Sequence, residues 1–269
     1  MISWWCVALE EPWTWQWIPY PGIWVASILP IVAYMWWTSR SEQPTSLRQK
    51  LQFVAGMLVF WLASDWPLGT LGAGYLASAH MAQFLLYTLA AAPLLLLGTP
   101  GWLAERVLGR LRLRGVAARI GSSLVLAGAI YNVTLIVTHS PGVVSALRTN
   151  QLGSFLMDVV WLLAGFVLWM PVISPIRSMR NSSDIGRMLY LFATTSLVAV
   201  IPASFLTFTT MPIYSIYELA PRIGSLTARA DQQLAGIVMK IGTIPIIWST
   251  IGVIWFRWAA KEQQSHVAT

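Results

Sequence analysis

The sequence predicts an all-α integral membrane protein, a single domain of seven transmembrane helices over residues 1–269. Of these residues 57% are hydrophobic and only 10% are charged, and the mean hydropathy is +0.64. Ordinary soluble domains carry roughly 25% charged residues. The sixteen tryptophans agree with a membrane location, because tryptophan favours the membrane–water interface. This composition excludes a soluble cytoplasmic enzyme, a disordered chain and, despite the net charge of +7, a nucleic-acid-binding protein.

The predicted spans follow from the length that a crossing helix requires, about 20 mostly apolar residues. Seven segments qualify, and none alternates like a barrel strand. The second segment is short and needs residues 66–68 to reach the far side of the bilayer. In chain order the segments cover residues 22–37, 51–63, 71–97, 120–137, 155–173, 188–208 and 232–256.

The distribution of Lys and Arg predicts the orientation. One set of loops carries 13 of these residues and the opposite set carries three. Because cytoplasmic loops are the positive ones, we expect the N-terminus outside, the C-terminus in the cytoplasm, and the chain in the cell inner (plasma) membrane. The positive charge then serves topology and contact with anionic membrane lipid. Five tryptophans before the first span are predicted to lie at the outer interface: Trp4, Trp5, Trp13, Trp15 and Trp17.

No pattern in the sequence predicts a catalytic reaction. Cys6 is the only cysteine, so an intrachain disulfide and a CxxC metal or redox site are excluded. The chain also has no HExxH sequence and no glycine-rich phosphate loop between a strand and a helix. We therefore expect a protein that is not an enzyme.

Ionisable residues inside the spans are the strongest functional signal, because such groups are costly in lipid. All four of the notable ones fall in the predicted outer half of the membrane: His80, His139, Asp158 and Asp231. His80 is predicted about nine residues, or roughly 13 Å, below the outer end of its span. Gln83 and Tyr87 share its helix face, and Gln232 follows Asp231 at the start of the last span. The cytoplasmic half has no comparable group apart from Lys240.

These residue types suit a soft metal ion. Imidazole binds copper, zinc or iron, and thioether sulfur selects Cu(I). The candidate metal ligands are His80, Met81, His139 and Asp158. The alternative is that methionine fills gaps in the core and that each histidine is hydrogen-bonded inside the bundle. Lys240 in the last span is compatible with a retinal Schiff base, although a lysine there more commonly extends to the interface.

Four segments together resemble the CtaG family of cytochrome c oxidase assembly factors. The first is LASAHMAQFLLYTLAAAPLLLLGTP at residues 76–100, and the second is THSP at residues 138–141. The third runs from AG at 164–165 to WMP at 169–171, and the fourth is DQQLAG at 231–236 followed by Met239. Their order and spacing resemble the family pattern over residues 53–239.

The resemblance implies a seven-helix inner-membrane protein that helps to build the haem-copper oxidase by handling copper at the outer face. The oxidase subunits are the expected protein partners. His80, Met81 and His139 match family positions, as do Asp231 and Gln232. The chain departs from the pattern at three places, with Phe84 for the second motif histidine, Asp158 for a histidine in the fifth span, and Lys240 for a tryptophan.

Two other functions remain open from the residues alone. The first is a b-type haem protein, with His80 and His139 as axial ligands on consecutive antiparallel helices; their predicted depths differ by about 13 Å. The second is a transporter of copper or a small solute, although no inverted repeat is visible. No feature of the sequence specifies an oligomeric state.

Overall fold

The computed structural model describes residues 3–181 and 183–267, with side chains to residue 264, and every regular element in this part is helical. The helices are α1 Pro21–Arg40, α2 Leu47–Ser64, α3 Leu68–Gly74, α4 Ala77–Leu85, α5 Ala92–Gly98, α6 Gly101–Arg110, α7 Arg114–Ser122, α8 Leu124–Thr138, α9 Pro141–Arg148, α10 Gln151–Ile173, α11 Asp184–Phe192, α12 Val200–Phe208, α13 Ser215–Glu218, α14 Ala228–Ile241 and α15 Ile244–Val267. Short π-helical segments, Leu86–Ala91 and Ala193–Leu197, connect α4 to α5 and lead from α11 towards α12.

The predicted all-helical membrane fold is confirmed, and the number of crossings lies between five and seven. Five helical stretches in the described part are long and apolar enough to cross a membrane, and seven are obtained if each of two bent pairs forms one span. The bent pairs are α2 with α3, at 47°, and α7 with α8, at 101°. Since these pairs can also be broken or re-entrant segments, the count of seven and the orientation stay predictions.

The third span begins later than the sequence predicts. Residues 71–74 belong to the short helix α3, and the backbone at Leu76 is extended, with φ −132° and ψ 123°. The span Ala77–Gly98 starts only after this break. His80 is therefore in the first turn of its helix. The prediction that it lies about nine residues below the outer end of its span is wrong.

The two π-helical segments each precede a proline in the same span. Pro93 and Pro202 have no N–H group to donate to the preceding turn, and the wider register ends at Ala91 in the first case and at Leu197 in the second. In the first segment the Ala92 N–H donates to the Tyr87 carbonyl. The Thr88 carbonyl is thereby released, and it accepts from the Trp169 indole N–H at 2.9 Å. The irregularity thus holds the third span against α10.

Helix α10 lies at the centre of the bundle, where it packs against α5, α7, α8 and α9. Since α10 begins where α4 begins and where α8 ends, we call this end of the bundle the histidine end. The opposite end carries α6, α7 and the turn between them, which together hold five arginines within residues 106–119, and we call it the arginine end.

The segment before α1 folds back over the histidine end. Its Ala8 N–H donates to the Arg148 carbonyl at 3.0 Å, and the Tyr75 hydroxyl donates to the Glu11 carbonyl at 2.8 Å. Trp15 and Trp17 are exposed, as an interfacial position requires, whereas Trp5 is completely buried. The prediction that Trp5 lies at the interface is therefore wrong, since its indole forms part of the protein interior.

Candidate metal site at the histidine end

The two candidate histidines lie next to each other. His80 is in the first turn of α4 and His139 follows the last residue of α8, and their ring centroids are 5.5 Å apart. Both side chains are buried, with exposed fractions of 0% and 6%. An ion bound to one nitrogen of each ring puts the centroids at most about 6 Å apart, since metal–nitrogen bonds are about 2 Å. The observed separation is within this limit.

Hydrogen bonds fix which nitrogen of each ring carries the proton. The Tyr217 hydroxyl donates to the Gly72 carbonyl at 2.7 Å, so its oxygen accepts from His80 Nδ1 at 2.8 Å. His139 Nδ1 lies 2.8 Å from the Leu135 carbonyl oxygen, which can only accept. Both rings therefore carry the proton on Nδ1 and have a lone pair on Nε2.

The Nε2 atoms are the unusual feature of this pair. Both are buried and have no hydrogen-bond partner among the described residues. Burial lowers the pKa of His139, which follows the end of α8, to about 4, so that its ring is neutral at pH 7. Because buried polar atoms are nearly always paired, two neighbouring unpaired acceptors indicate a site for a ligand.

Two methionines line a cavity next to His139. Met81 is buried, and together with His139 it lines a cavity of about 250 Å³. Met239 of α14 lines the same cavity and is buried as well. No local sequence pattern identifies Met239 as a ligand, because only the packing of α14 on α4 brings it to Met81, 158 residues earlier in the chain. The structure thus places one imidazole, that of His139, and two methionine side chains around one cavity, and His80 is not among its lining residues.

Aromatic rings enclose the histidine pair. The Trp161 ring centroid is 4.7 Å from that of His80 and 5.5 Å from that of His139. The Phe84 ring is 4.7 Å from the His139 ring, so the side chain that replaces the second motif histidine contacts the site directly. These rings exclude water and restrict the ways in which the imidazoles can rotate.

Asp158, the fourth predicted metal ligand, has other partners. Its Oδ1 lies 3.0 Å from Arg148 Nη2, with exposed fractions of 1% and 0% for the two side chains. Its Oδ2 accepts from the Trp5 indole N–H at 2.9 Å. Since both oxygens are engaged, the structure assigns Asp158 to a buried ion pair rather than to the histidine pair.

Arg148 is a residue whose position the sequence does not predict. In the sequence it lies between two predicted spans and is counted among the charges of a loop. In the structure it is the last residue of α9 and is completely buried. Its guanidinium carbon lies 5.1 Å from the centroid of Trp161, the ring that also contacts both histidines. The charge of Arg148 compensates that of Asp158, and a fixed cation stands close to the imidazoles.

Asp231 positions the helix that carries His80. Its carboxylate accepts from the backbone N–H of Ala77 at 2.6 Å and from that of Ser78 at 3.2 Å. The Ser78 hydroxyl donates to the same carboxylate. The N-terminal amides of α4 thus receive a capping side chain from α14, in the way that an N-cap residue normally satisfies them.

Replacing Asp231 with Ala is expected to lower the free energy of unfolding by about 2 kcal/mol, the upper range for loss of a helix cap. The measurement is equilibrium unfolding of the purified protein in mixed detergent micelles. Asp231→Asn, which keeps one carbonyl oxygen as acceptor, is the control and should lose less. Equal stability of the wild type and Asp231→Ala would show that the cap contributes nothing.

The remaining predicted polar residues connect segments around the site. Gln232 accepts from the Ile213 N–H at 2.6 Å and so holds the loop that leads to Tyr217. The Gln83 amide donates to the Ala63 carbonyl at 2.7 Å, and the Tyr87 hydroxyl lies 2.7 Å from that of Ser64. Gln83 and Tyr87 therefore join the third span to α2.

Lys240 lies outside this arrangement. It is exposed near the end of α14, whereas Asp158 is buried against Arg148. This placement agrees with a lysine whose amine extends to the interface.

Within residues 3–181 and 183–264 no group of three or more His, Cys, Asp or Glu side chains is placed to hold a metal ion. The available donors are the two imidazoles and the neighbouring thioethers.

Comparison with known proteins gives one family. The model of the cytochrome c oxidase caa3 assembly factor family (Caa3_CtaG) matches residues 32–261. No curated protein and no solved structure matches the chain. The matched part includes α4, α8, α10 and α14, which carry or flank the histidine pair.

Proposed function

Because the chain belongs to the cytochrome c oxidase caa3 assembly factor family, we propose that it serves oxidase assembly by holding Cu(I) at the histidine end of the bundle and passing it on. The ion is cargo in this proposal rather than a permanent cofactor. The proposed donors are His80 and His139, with Met81 or Met239 supplying a thioether. The proposal omits Asp158, since its oxygens bind Arg148 and Trp5.

The observation that carries the proposal is the pair of unpartnered Nε2 atoms on adjacent, buried rings. Neutral imidazole and thioether are ligands that suit Cu(I). Arg148 favours the monovalent over the divalent ion, because its charge is close to the rings and repulsion grows with the charge of the bound ion. The proposed donors are uncharged and include no carboxylate, which also favours Cu(I) over the divalent ion.

Release of the ion requires access from the outer loops. Tyr217 of α13 bonds to His80, and the Tyr214 hydroxyl donates to the His139 carbonyl at 2.8 Å. The loop between α12 and α14 therefore covers both histidines. We infer that a subunit of the oxidase receives copper here, at the periplasmic or outer face of the inner membrane, that lipid surrounds the spans, and that no catalytic reaction takes place.

The test is a Cu(I) titration of the purified full-length protein against a chromophoric Cu(I) chelator. We expect one copper per chain to be withheld from the chelator, and deletion of the gene to lower the copper content of the oxidase. A protein that never competes with the chelator would remove copper from the proposal and leave the family role in assembly.

A haem between the histidines is the less favourable alternative. Trp161 and Phe84 lie 4.7 Å from the imidazoles in ring-to-ring contact, and the adjoining cavity is about 250 Å³. A porphyrin plane would have to displace these rings. A Soret band in the purified protein would favour haem over copper.

Tyr217→Phe is expected to weaken Cu(I) binding by about 10–100-fold, the usual effect of removing a group that orients a metal-binding histidine. The variant keeps both imidazoles but leaves His80 Nδ1 without its acceptor, so the ring loses its preferred tautomer and orientation. The measurement is the same chelator competition.

The matched control is Tyr214→Phe, which removes a hydroxyl from the same loop. That hydroxyl contacts only the backbone carbonyl of His139, so we expect little change in affinity. Equal losses in both variants would mean that the loop matters as a cover and that Tyr217 does not orient His80.

Phe84→His is expected to tighten Cu(I) binding by about tenfold, equivalent to about 1.4 kcal/mol. The Phe84 ring already contacts His139, so an imidazole there would add a third nitrogen donor. Affinity is measured by chelator competition, with thermal unfolding to confirm folding. An affinity equal to that of the wild type would place the ion away from Phe84.

A further inference from the structure

Between α1 and α10 the bundle contains an apolar groove of about 560 Å³. These two helices run in the same direction and leave a gap, which is closed at the back by α2, α5 and α6. Along α10 the groove extends from Phe155 to Met170, a rise of about 22 Å. This is a large part of the roughly 30 Å hydrocarbon thickness of a bilayer.

The wall of the groove offers no free hydrogen-bonding side chain near its centre. The Tyr34 hydroxyl donates to the Gly98 carbonyl at 2.8 Å, and the Thr99 hydroxyl donates to the Leu95 carbonyl at 2.7 Å. Ala33, Met57 and Leu162 also line the groove, and their side chains are apolar. Such a groove fits a hydrocarbon chain.

The end of the groove nearest α6 adjoins a basic pocket. Trp37 lines both the groove and this second pocket, which also contains Arg40, Arg106 and Arg110. One carboxylate, that of Glu42, lines the pocket as well, so its lining has three cationic side chains and one anionic side chain. The Arg110 guanidinium carbon lies 6.0 Å above the Trp37 ring, and that of Arg106 lies 5.4 Å above the ring of Trp102. These contacts orient cationic groups at the mouth of an apolar channel.

We propose that the groove and the basic pocket together bind one anionic phospholipid. One acyl chain lies between α1 and α10, and the phosphate is bound by Arg106 and Arg110 with Arg40 beside them. Charge complementarity favours a head group of net negative charge over a zwitterionic one, because basic residues near a membrane attract anionic lipid. A transmembrane helix of a partner is about 10 Å across and about 30 Å long, several times the volume of the groove.

The basic pocket lies at the arginine end, and the groove runs from there along α10 to Phe155 near the histidine end. None of the proposed copper ligands lines the groove or the pocket. The consequence of lipid binding is structural coupling to the membrane: a bound lipid would fill the gap between α1 and α10 and hold α6 against them. The lipid class at the cytoplasmic surface would then affect the stability of the bundle.

The test uses native mass spectrometry of the purified full-length protein equilibrated with phosphatidylglycerol or phosphatidylcholine in neutral detergent. We expect one phosphatidylglycerol to be retained at least about tenfold better than phosphatidylcholine. The variant Arg106→Gln with Arg110→Gln should lower its retention by about tenfold. The control Arg119→Gln with Arg177→Gln removes two exposed arginines outside the pocket and should change little.

A second pair of variants tests the groove itself. Ala33→Phe places a ring in the groove and should lower phosphatidylglycerol retention, whereas Val32→Phe adds the same ring at a neighbouring residue that is 57% exposed and should not. Equal retention of the two lipids, or retention unaffected by Ala33→Phe or by loss of the two arginines, would overturn the proposal. Copper binding should be unchanged in all of these variants, which separates this result from the proposed function.

Discussion

Replacement of Asp158 with Ala is expected to lower the free energy of unfolding by about 3–5 kcal/mol, the usual cost of breaking a buried ion pair by removing one partner. Arg148 is completely buried, and Asp158 Oδ1 is 3.0 Å from its Nη2. Within the described residues none of the guanidinium nitrogens has a hydrogen-bond partner, nor has Asp158 Oδ1, so the ion pair is what compensates the buried charge. Without Asp158 the cation would be left uncompensated, and Trp5 would lose the acceptor for its indole N–H.

The measurement is equilibrium unfolding in mixed detergent micelles. Removing both charges in Asp158→Leu with Arg148→Met should recover most of the stability, since an apolar pair can replace a buried ion pair at little cost. Asp184→Ala serves as the control, because Asp184 pairs with Arg187 and Lys261 where the side chains are partly or largely exposed, and its loss should cost about 1 kcal/mol or less. A double variant less stable than Asp158→Ala would contradict this account.

Hydropathy alone predicts the helical membrane fold, because the bilayer allows few structures in which every backbone group is paired. The beginning of the third span could not be located in this way. Residues 71–76 are mostly apolar and continue the hydropathy signal, but the helix begins at Ala77, where Asp231 accepts from its N–H. That contact joins residues 154 positions apart, and no local pattern encodes it.

The histidine pair was predictable in part. The cost of ionisable groups in lipid identifies His80 and His139 as candidates. The predicted difference in depth between them is wrong, because the helix that carries His80 begins at Ala77 and not at residue 71. Tyr217, which fixes the protonated nitrogen of His80, lies in a short loop helix with no sequence pattern to identify it. Only the three-dimensional fold brings it to the site.

Arg148 and Trp5 illustrate a more general limit. A charge rule treats every arginine in a loop as solvated, and an interface rule treats every tryptophan before a span as interfacial. Here α9 turns inward, and the chain before α1 folds over it, so that both side chains contact Asp158 in the interior. A carboxylate inside a span does indicate that a cation or hydrogen-bond donors must be near it. Asp158 gives that signal in the sequence, but it does not identify Arg148 and Trp5 as the partners.

Replacement of both His80 and His139 with Ala is expected to abolish the copper competition, with a loss of at least about 100-fold in affinity, since altering groups that merely orient a ligand already costs 10–100-fold. The two rings supply the only unpartnered imidazole nitrogens of the described site. In cells the double variant should lower oxidase copper to the level of the gene deletion. Each single variant should retain weak binding through the other ring and the thioethers of Met81 and Met239.

Met211→Ala is the matched control for this double variant, because Met211 is 73% exposed at the same end of the bundle and does not line the cavity shared by His139, Met81 and Met239. Its copper affinity should equal that of the wild type. Removing the imidazoles deletes no ion pair, and the hydrogen bonds lost are those of His80 to Tyr217 and of His139 to the Leu135 carbonyl at the end of α8. Thermal unfolding would verify that the double variant is folded. Unchanged copper affinity in a folded double variant would place the copper outside the histidine pair, and the pair would then have to be regarded as part of the helix packing alone.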